Sequence, residues 1–230
     1  MAHKDILIVI AKRPTPGQTK TRLAPPLTPE QATGLYECFL QDTLDLIKQV
    51  PGVQPAIAFY PEHERAYFEE LAPGFNLHLQ NGADLGERLD DALQHYLGSE
   101  NCHVVIMDSD SPTLPAACLS QAFDALNDGS EMVLGPCDDG GYYLIGLKQP
   151  APRLLREVQM STPHVARDTL SLAAEEGLKY SLLPIWYDID EIVTLRRLVD
   201  ELEKLPAEVA PSTRAYLSIP EIQNRIQNAP

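Results

Sequence analysis

The stretch ILIVIAKRPTPGQTKTRL, residues 6–23, carries the main indication of the fold. Residues 6–11 are apolar without polar alternation, which predicts a strand that is buried on both faces of a sheet. Residues 12–23 hold four cationic side chains together with Pro14, Pro16 and Gly17, a composition that indicates a loop. A fully buried strand that opens into such a loop is typical of parallel sheets covered by helices.

The rest of the chain alternates strand and helix patterns. Further strands are predicted at 54–60, 77–80, 103–107, 132–135, 142–147 and 180–184, and helices at 28–50, 64–71, 85–97, 116–126, 163–176 and 191–205. This alternation predicts an α/β protein with three layers, α/β/α, around a mostly parallel central sheet. Because 230 residues suit one hydrophobic core, residues 1–205 are assigned to a single domain. Residues 206–230 hold four prolines and are expected to be a C-terminal tail that either wraps the domain or is mobile.

Charge and cysteine content exclude several classes of partner. The formal net charge of −15 repels nucleic acid and anionic membranes, so neither is expected as a partner. Apolar runs fall short of the roughly 18 residues of a membrane span, and the run 6–11 is too short for a signal peptide. The four cysteines form no C-x-x-C pair. We therefore expect a cytoplasmic protein with reduced thiols, and its state as monomer or homo-oligomer stays open.

The loop after the first strand is the first candidate binding site, because ligands of such sheets bind beyond the carboxyl ends of the strands. Gly17 allows a close approach of the backbone to a ligand, and Lys20 and Arg22 offer a point charge and a planar fork to phosphate oxygens. The order G-x-x-K-T-R differs from a Walker A loop. The alternative is an ordinary solvated loop.

Two aspartate pairs follow two other predicted strands. Asp108 and Asp110 come after 103–107, and Asp188 and Asp190 come after 180–184. Side chains two residues apart point the same way on extended chain, so Asp108 and Asp110 could converge on one Mg²⁺ or Mn²⁺ ion. The two pairs would form a shared metal site if their strands are neighbours. The alternative is that these residues cap turns or helices, with Asp190 as the N-cap of the last long helix.

Two more loops are weaker candidates. Asp139, Gly140 and Gly141 form a tight-turn signal, which indicates either a plain hairpin or a backbone surface laid against an acceptor molecule. The segment 81–88 opens a helix whose N-terminus favours an anion, whereas Asp84 as a plain N-cap requires no ligand.

Six motifs in this order resemble one bacterial family. They are AKRPTPGQTKTRLAP, GADLGERL, SDSPTLP, GPCDDGGYYLIGL, STPHVARDTL and YDID. The resemblance, which covers about 200 residues from 6 to 205, is to DUF2064, also described as the radical-SAM/selenodomain-associated transferase 1 or arsenosugar-biosynthesis glycosyltransferase-like family. The KTRL loop is also similar to that of 2-phospholactate guanylyltransferases, and the architecture is more distantly similar to molybdenum-cofactor nucleotidyltransferases.

The resemblance implies the nucleotide-diphosphosugar-transferase (GT-A-like) fold and a metal-bound nucleotide. The nucleotide-binding residues carried over are Lys12, Gly17, Lys20, Arg22, Gly86 and Arg88. The metal ligands carried over are Asp110, Asp188 and Asp190, and Asp108 is a weaker candidate because the family usually has glycine there. The residues expected to bind the acceptor are Asp139, Gly140, Gly141, Ser161 and Thr162.

The predicted function is metal-dependent nucleotidyl transfer from a nucleoside triphosphate to a small phosphorylated or carboxylate acceptor. Lys20, Arg22 and Asp110 are the predicted catalytic residues, because phosphoryl-type transfer depends on positioning and charge stabilisation. Glycosyl transfer from a nucleotide sugar is the first alternative. A non-catalytic, nucleotide-binding regulatory protein is the second.

Overall fold

One sheet organises the part of the chain that the computed structural model describes, residues 4–98 and 102–229. Its strands are β1 (Lys4–Lys12), β2 (Val53–Tyr60), β3 (Asn76–Leu79), β4 (Cys102–Met107), β5 (Met132–Pro136), β6 (Tyr142–Leu147) and β7 (Tyr180–Leu182). They lie in the order β3-β2-β1-β4-β6-β5-β7. All neighbours pair in parallel except β6, which runs antiparallel to β4 and to β5.

Helices cover both faces of this sheet. They are α1 (Pro29–Lys48), α2 (Arg65–Leu71), α3 (Leu85–Leu97), α4 (Ala116–Asn127), α5 (Arg153–Arg156), α6 (Val165–Glu175), α7 (Ile192–Leu202), α8 (Pro211–Leu217) and α9 (Pro220–Gln227). Leu7 and Val9 of β1 belong to the core shared with α1, α2 and α4, whereas Ile6 and Ile8 belong to the core shared with α3, α5 and α6. The predicted α/β/α layering is therefore confirmed.

None of the helices in the described ranges has both the length and the apolar character that a membrane-spanning segment requires.

The antiparallel strand β6 results from a tight hairpin. The Cys137 amide donates to the Gly141 carbonyl over 2.9 Å, and the Gly140 amide donates to the Cys137 carbonyl. Gly140 has φ +92°, a left-handed conformation that glycine adopts without strain. The turn is thus a hairpin, and it lies at the edge of the sheet where β5 ends.

Capping side chains set the starts of α1 and α3, whereas α6 and α7 begin at other residues than Thr162 and Asp190. The Thr28–Gln31 capping box begins α1, and the Asp84 side chain caps α3. Thr162 does not cap α6, which begins three residues later, at Val165. Asp190 is not the N-cap of α7 either, since Glu191 takes that position and its amide donates to Thr194 Oγ1.

The C-terminal segment packs against the body of the protein. Leu217, Ile222 and Ile226 are buried in a third core together with residues of α1 and α7. The Asp42 carboxylate of α1 accepts hydrogen bonds from the amides of Ser212 and Thr213, over 2.9 and 2.8 Å. These two bonds satisfy free N–H groups at the start of α8, so the tail wraps α1 through both apolar and polar contacts.

Candidate functional site

Two cavities open at the carboxyl edge of the parallel strands. The loop-side cavity, about 480 Å³, is lined by the loop after β1 and by the start of α3. The hairpin-side cavity, about 460 Å³, is lined by the β5–β6 hairpin and by the segment before α6. Asp108, Asp110, Asp190 and Ser161 line both, so the two cavities adjoin along these residues. Volumes of this size suit small organic ligands.

Lys20 lies at the junction of the two cavities and ties three loops together. Its ammonium is 2.9 Å from Asp110 Oδ2 and 2.8 Å from Asp190 Oδ1, and its side chain is only 5% exposed. Arg22 reaches the other oxygen of Asp190 over 3.3 Å. The sequence predicts that these cations and carboxylates meet at one site with a ligand between them. The structure brings them together in direct ion pairs.

The backbone of Lys20 is itself unusual. Its φ of +49° is left-handed, a conformation that costs a non-glycine residue free energy and is concentrated at functional sites. Ser161, which lines both cavities, has φ +59°. Two of the positive-φ non-glycine residues therefore face the same site.

Burial and neighbouring charge have opposite effects on the pKa values of Lys20, Asp110 and Asp190. Burial alone would lower the pKa of Lys20, but Asp110 and Asp190 together raise it above its ordinary value. Burial would likewise raise the pKa of Asp190, yet Lys20 and Arg22 hold it below its ordinary value. For Asp110, burial outweighs the neighbouring Lys20 charge and the pKa rises. Lys20 is therefore charged at neutral pH.

Asp108 and Asp188 are carboxylates without a cation of their own. Burial, followed by repulsion from Asp110, raises the pKa of Asp108 well above its ordinary value. Burial, followed by repulsion from Asp190, raises the pKa of Asp188 to about 6. Neither forms an ion pair within the described ranges. Crowded acidic groups of this kind favour a cation that offsets their repulsion.

The residues present fit a hard divalent cation. Asp110 Oδ1 is buried and has no hydrogen-bond partner in the described part of the chain. Cys137, Asp139 and Asp188 offer ligand atoms within 4.8 Å of one another. Burial, reinforced by the surrounding aspartates, raises the pKa of the Cys137 thiol, so this cysteine stays protonated and is a poor ligand. The carboxylate oxygens that remain suit Mg²⁺ or Mn²⁺.

The loop-side cavity collects cationic side chains. Lys12, Lys20 and Arg88 line it. Lys12 is exposed, and the Arg88 guanidinium lies 4.8 Å from the centre of the Tyr60 ring while its Nε donates to the Gly82 carbonyl. Four aspartates line the same cavity: Asp84, Asp108, Asp110 and Asp190. Of the three cations, Lys20 is paired with two of these aspartates, so Lys12 and Arg88 are the cationic groups that an anionic ligand could meet within a protein of net charge −15.

The structure places the predicted acceptor residues around the hairpin-side cavity, with one exception. Asp139, Gly141, Ser161 and Thr162 line this cavity. Asp139 Oδ1 accepts a hydrogen bond from the Gly141 amide over 2.8 Å, which fixes the turn. Gly140 lies behind the turn, where a Cβ atom would come within 2.0 Å of the Pro163 carbonyl oxygen.

Two glycines predicted to bind the nucleotide lie outside both cavities. A Cβ atom on Gly86 would come within 2.1 Å of the Leu155 carbonyl oxygen, so this glycine allows α3 to pack against α5. Gly17 has φ +75° with open space around it, and it shapes the turn that leads to Lys20. Both positions have a structural reason for glycine that is independent of a ligand.

Sequence reasoning missed two buried polar residues that line the loop-side cavity. Tyr36 fits the apolar stripe of α1, yet its hydroxyl lies 3.0 Å from Ser109 Oγ and accepts a hydrogen bond from the Lys12 amide. Burial raises the pKa of Tyr36 to about 12, so it remains a neutral hydroxyl. Gln80 donates through Nε2 to the carbonyls of Ala11 and Ala58, joining the ends of β1 and β2. The only sequence signal for Gln80 was its position as the last residue of the predicted strand 77–80.

The family follows from a match over residues 43–162, half of the chain, to the model described as "Uncharacterized protein conserved in bacteria (DUF2064)". The chain belongs to this family. The resemblance drawn from the six motifs is therefore confirmed. Among proteins with curated descriptions, none matches significantly.

Solved structures agree with the fold. A Desulfovibrio desulfuricans G20 protein, provisionally named a nucleotide-diphospho-sugar transferase, is 28% identical with a TM-score of 0.89, over 99% of this chain and 98% of its own. A CMP:2-keto-3-deoxy-manno-octonic acid synthetase solved with CTP is 12% identical with a TM-score of 0.57, over 88% and 100% of the two chains. Rv0371c from Mycobacterium tuberculosis H37Rv, solved with manganese, is 18% identical with a TM-score of 0.55, over 87% and 100%.

The first neighbour is named as a transferase and the second as a synthetase, which agrees with the prediction of an enzyme, and all three confirm the GT-A-like fold.

Proposed function

We propose that this member of the DUF2064 family is a metal-dependent nucleotidyltransferase. One observation carries the proposal: Lys20, charged and buried, lies between Asp110 and Asp190 where the loop-side cavity adjoins the hairpin-side cavity. Such a junction suits a reaction in which a polyphosphate on one side meets an acceptor on the other. Nucleotidyl transfer is a reaction of this kind, because its catalysis is mainly positioning and charge stabilisation.

The donor would be a nucleoside triphosphate in the loop-side cavity. Lys12 and Arg88 lie where they could contact its phosphates, and Lys20 could exchange a carboxylate for a phosphate oxygen. The ligands for a divalent cation would be Asp108, Asp110, Asp188 and Asp190. Mg²⁺ or Mn²⁺ bound there supplies positive charge to the phosphates. The manganese complex of a distant structural relative supports this choice of ion.

In the reaction, an oxygen of the acceptor forms a bond to the α-phosphorus of the donor. The bond from that phosphorus to its bridging oxygen breaks, and pyrophosphate leaves with the electron pair. Lys20 and Arg22 stabilise the negative charge that grows on the leaving phosphates. The Tyr36 hydroxyl supports this arrangement by holding Ser109, the residue next to Asp110, over 3.0 Å.

Glycosyl transfer from a nucleotide sugar is a second candidate. The observation in its favour is the 28% identity and TM-score of 0.89 to the protein provisionally named a nucleotide-diphospho-sugar transferase. The same residues would then stabilise a departing nucleoside diphosphate. The three cationic side chains around the loop-side cavity favour the more highly charged triphosphate.

Thermal unfolding with a panel of nucleotides tests the proposal. Triphosphates should raise the unfolding midpoint only when Mg²⁺ or Mn²⁺ is present, and should do so more than nucleotide sugars. Asp110→Asn should remove the metal-dependent part, whereas Asp45→Asn, a change on the exposed surface of α1, should keep it. Metal-dependent stabilisation of Asp110→Asn equal to that of the parent would exclude this metal assignment. Pyrophosphate release would separate nucleotidyl transfer from binding without turnover.

A further inference from the structure

The walls of the hairpin-side cavity are largely apolar. Side chains from the sheet, from α3 and from the segment before α6 form these walls: Ile10, Leu85, Leu89, Tyr142, Met160 and Val165. Even the Tyr142 hydroxyl is turned toward a thioether, since it donates to Met160 Sδ over 3.7 Å. A ligand in this space gains affinity by burying carbon, as ligands in most small-molecule pockets do.

The charged groups of the same cavity are almost all negative. Five aspartates line it, and Arg22 is the only cationic side chain among the described residues that do so. Arg22 is already paired with Asp190. Asp139 and Asp188, which line this cavity and not the loop-side one, form no ion pair within residues 4–98 and 102–229. An anionic acceptor bound here, beside the donor phosphates, would be repelled by these aspartates, and the cavity offers it no unpaired cationic side chain among the described residues.

A bound divalent cation would not turn this cavity into an anion site. Its charge would be shared among the aspartates that hold it, and the donor phosphates would bring further negative charge to the junction. The loop-side cavity shares Asp108, Asp110 and Asp190 and adds Asp84, but its three cations, Lys12, Lys20 and Arg88, nearly balance these four carboxylates, whereas Arg22 alone faces five on the hairpin side. The two cavities are therefore polarised, with anion recognition on the loop side only.

We propose that the acceptor is a neutral or cationic alcohol with an apolar carbon body, bound in the hairpin-side cavity. This rests on the proposed function for the transfer itself, and it replaces the phosphorylated or carboxylate acceptor that the sequence predicts. The acceptor hydroxyl oxygen forms the bond to the α-phosphorus, and pyrophosphate takes the electrons of the broken bond. The hydroxyl proton passes to a carboxylate of the cavity and then to water.

Three matched probes test the charge preference: benzyl alcohol, benzylamine, which is cationic at pH 7.5, and benzoate. Methionine methyl groups labelled with ¹³C report the position of binding, because Met107 and Met160 line the cavity and Met132 is buried in the core. Benzyl alcohol and benzylammonium should shift the Met160 signal, identified with Met160→Leu, with dissociation constants at least tenfold lower than that of benzoate. The Met132 signal should stay in place.

A matched pair of variants tests the cause. Asp139→Asn keeps an oxygen that accepts from the Gly141 amide but removes a negative charge. The ratio of the benzoate dissociation constant to that of benzyl alcohol should therefore fall at least threefold. Asp138→Asn is the control, because Asp138 pairs with Arg197 away from the cavity, and it should leave the ratio unchanged.

Benzoate binding as tightly as benzyl alcohol, with the Met160 signal shifting, would overturn the acceptor class. The absence of a Met160 shift with all three probes would overturn it as well, because an open apolar cavity of this volume accommodates a benzene ring. Both results are independent of nucleotide binding. Triphosphate-dependent stabilisation in the same samples would show that the donor assignment stands while the acceptor assignment fails.

Discussion

Replacing Lys20 by methionine should destabilise the metal-free protein, because it removes the cation that offsets two carboxylates. Each contact is at hydrogen-bonding distance, and the lysine side chain is 5% exposed. Breaking a buried pair by removing one partner costs about 3–5 kcal/mol, whereas an exposed pair is worth about 0–1 kcal/mol. Asp110 and Asp190 are 29% and 40% exposed, so water screens part of the loss.

We therefore expect the free energy of unfolding to fall by about 2–3 kcal/mol, between the two limits. For a chain of this length, that corresponds to a decrease of roughly 5–10 °C in the unfolding midpoint. Mg²⁺ or Mn²⁺ should then raise the midpoint of Lys20→Met more than that of the parent protein, because the ion meets carboxylates that have lost their own cation.

Differential scanning fluorimetry in EDTA and in a metal series measures both effects. Lys48→Met is the matched control: its ion pair with Asp45 has the same 2.8 Å distance, but the two side chains are 48% and 44% exposed. This control should change stability by less than about 0.5 kcal/mol. An unchanged midpoint for Lys20→Met, or a metal response no larger than that of the parent, would refute the reasoning.

Two further predictions concern other parts of the chain. Because the folded protein raises the pKa of Asp188 to about 6, its charge destabilises the fold at pH values above 6, and this effect fades as the pH falls toward the ordinary value. Asp188→Asn should thus stabilise the metal-free protein by about 1 kcal/mol at pH 7.5, after allowance for partial exposure, and by about half as much at pH 5. Urea denaturation in EDTA at both pH values measures the two gains in stability. Equal gains at the two pH values would contradict the prediction. Asp42→Ala should loosen the C-terminal wrap, since the amides of Ser212 and Thr213 lose charged acceptors worth about 1.5–3 kcal/mol each. Limited proteolysis should cut this variant after residue 205 faster than the parent, and an unchanged rate would show that apolar packing alone holds the tail.

The sequence predicted the layers of the fold because the signals were local. The apolar run around Leu7 and Ile8 leaves neither side of the strand polar, and the Thr28–Gln31 capping box is a signal for a helix start that depends only on neighbouring residues. The order of strands and the reversed direction of β6 depend on pairing between distant segments, for which the sequence had only a turn signal at Gly140. The four-residue helix α5 is too short for a periodic pattern and was missed.

The site was partly predictable for the same reason. A basic loop after one strand and aspartates after two others had to meet at the carboxyl edge of a parallel sheet, and Lys20, Asp110 and Asp190 do so. The direct ion pairs were not predictable, because side-chain contacts depend on loop conformations such as the left-handed backbone of Lys20. At Gly86 the sequence and the structure point to different reasons for a glycine. Its place in a motif suggested contact with a ligand, whereas its close approach to Leu155 gives a packing reason for the absence of a side chain.

The contact between Gly140 and Pro163 has a consequence for engineering the substrate range. At these residues the hairpin turn is in direct contact with the segment before α6, with no room for a Cβ atom on Gly140. The positions of the two backbones therefore set the distance between two walls of the hairpin-side cavity. Replacing Gly140, which lies outside the cavity lining, by alanine would force these two backbones apart and change the spacing of the walls without altering any side chain that lines the cavity. Selectivity for the size of the bound molecule could then be changed by a residue outside the cavity lining, while the ion pairs of Lys20 are left unchanged.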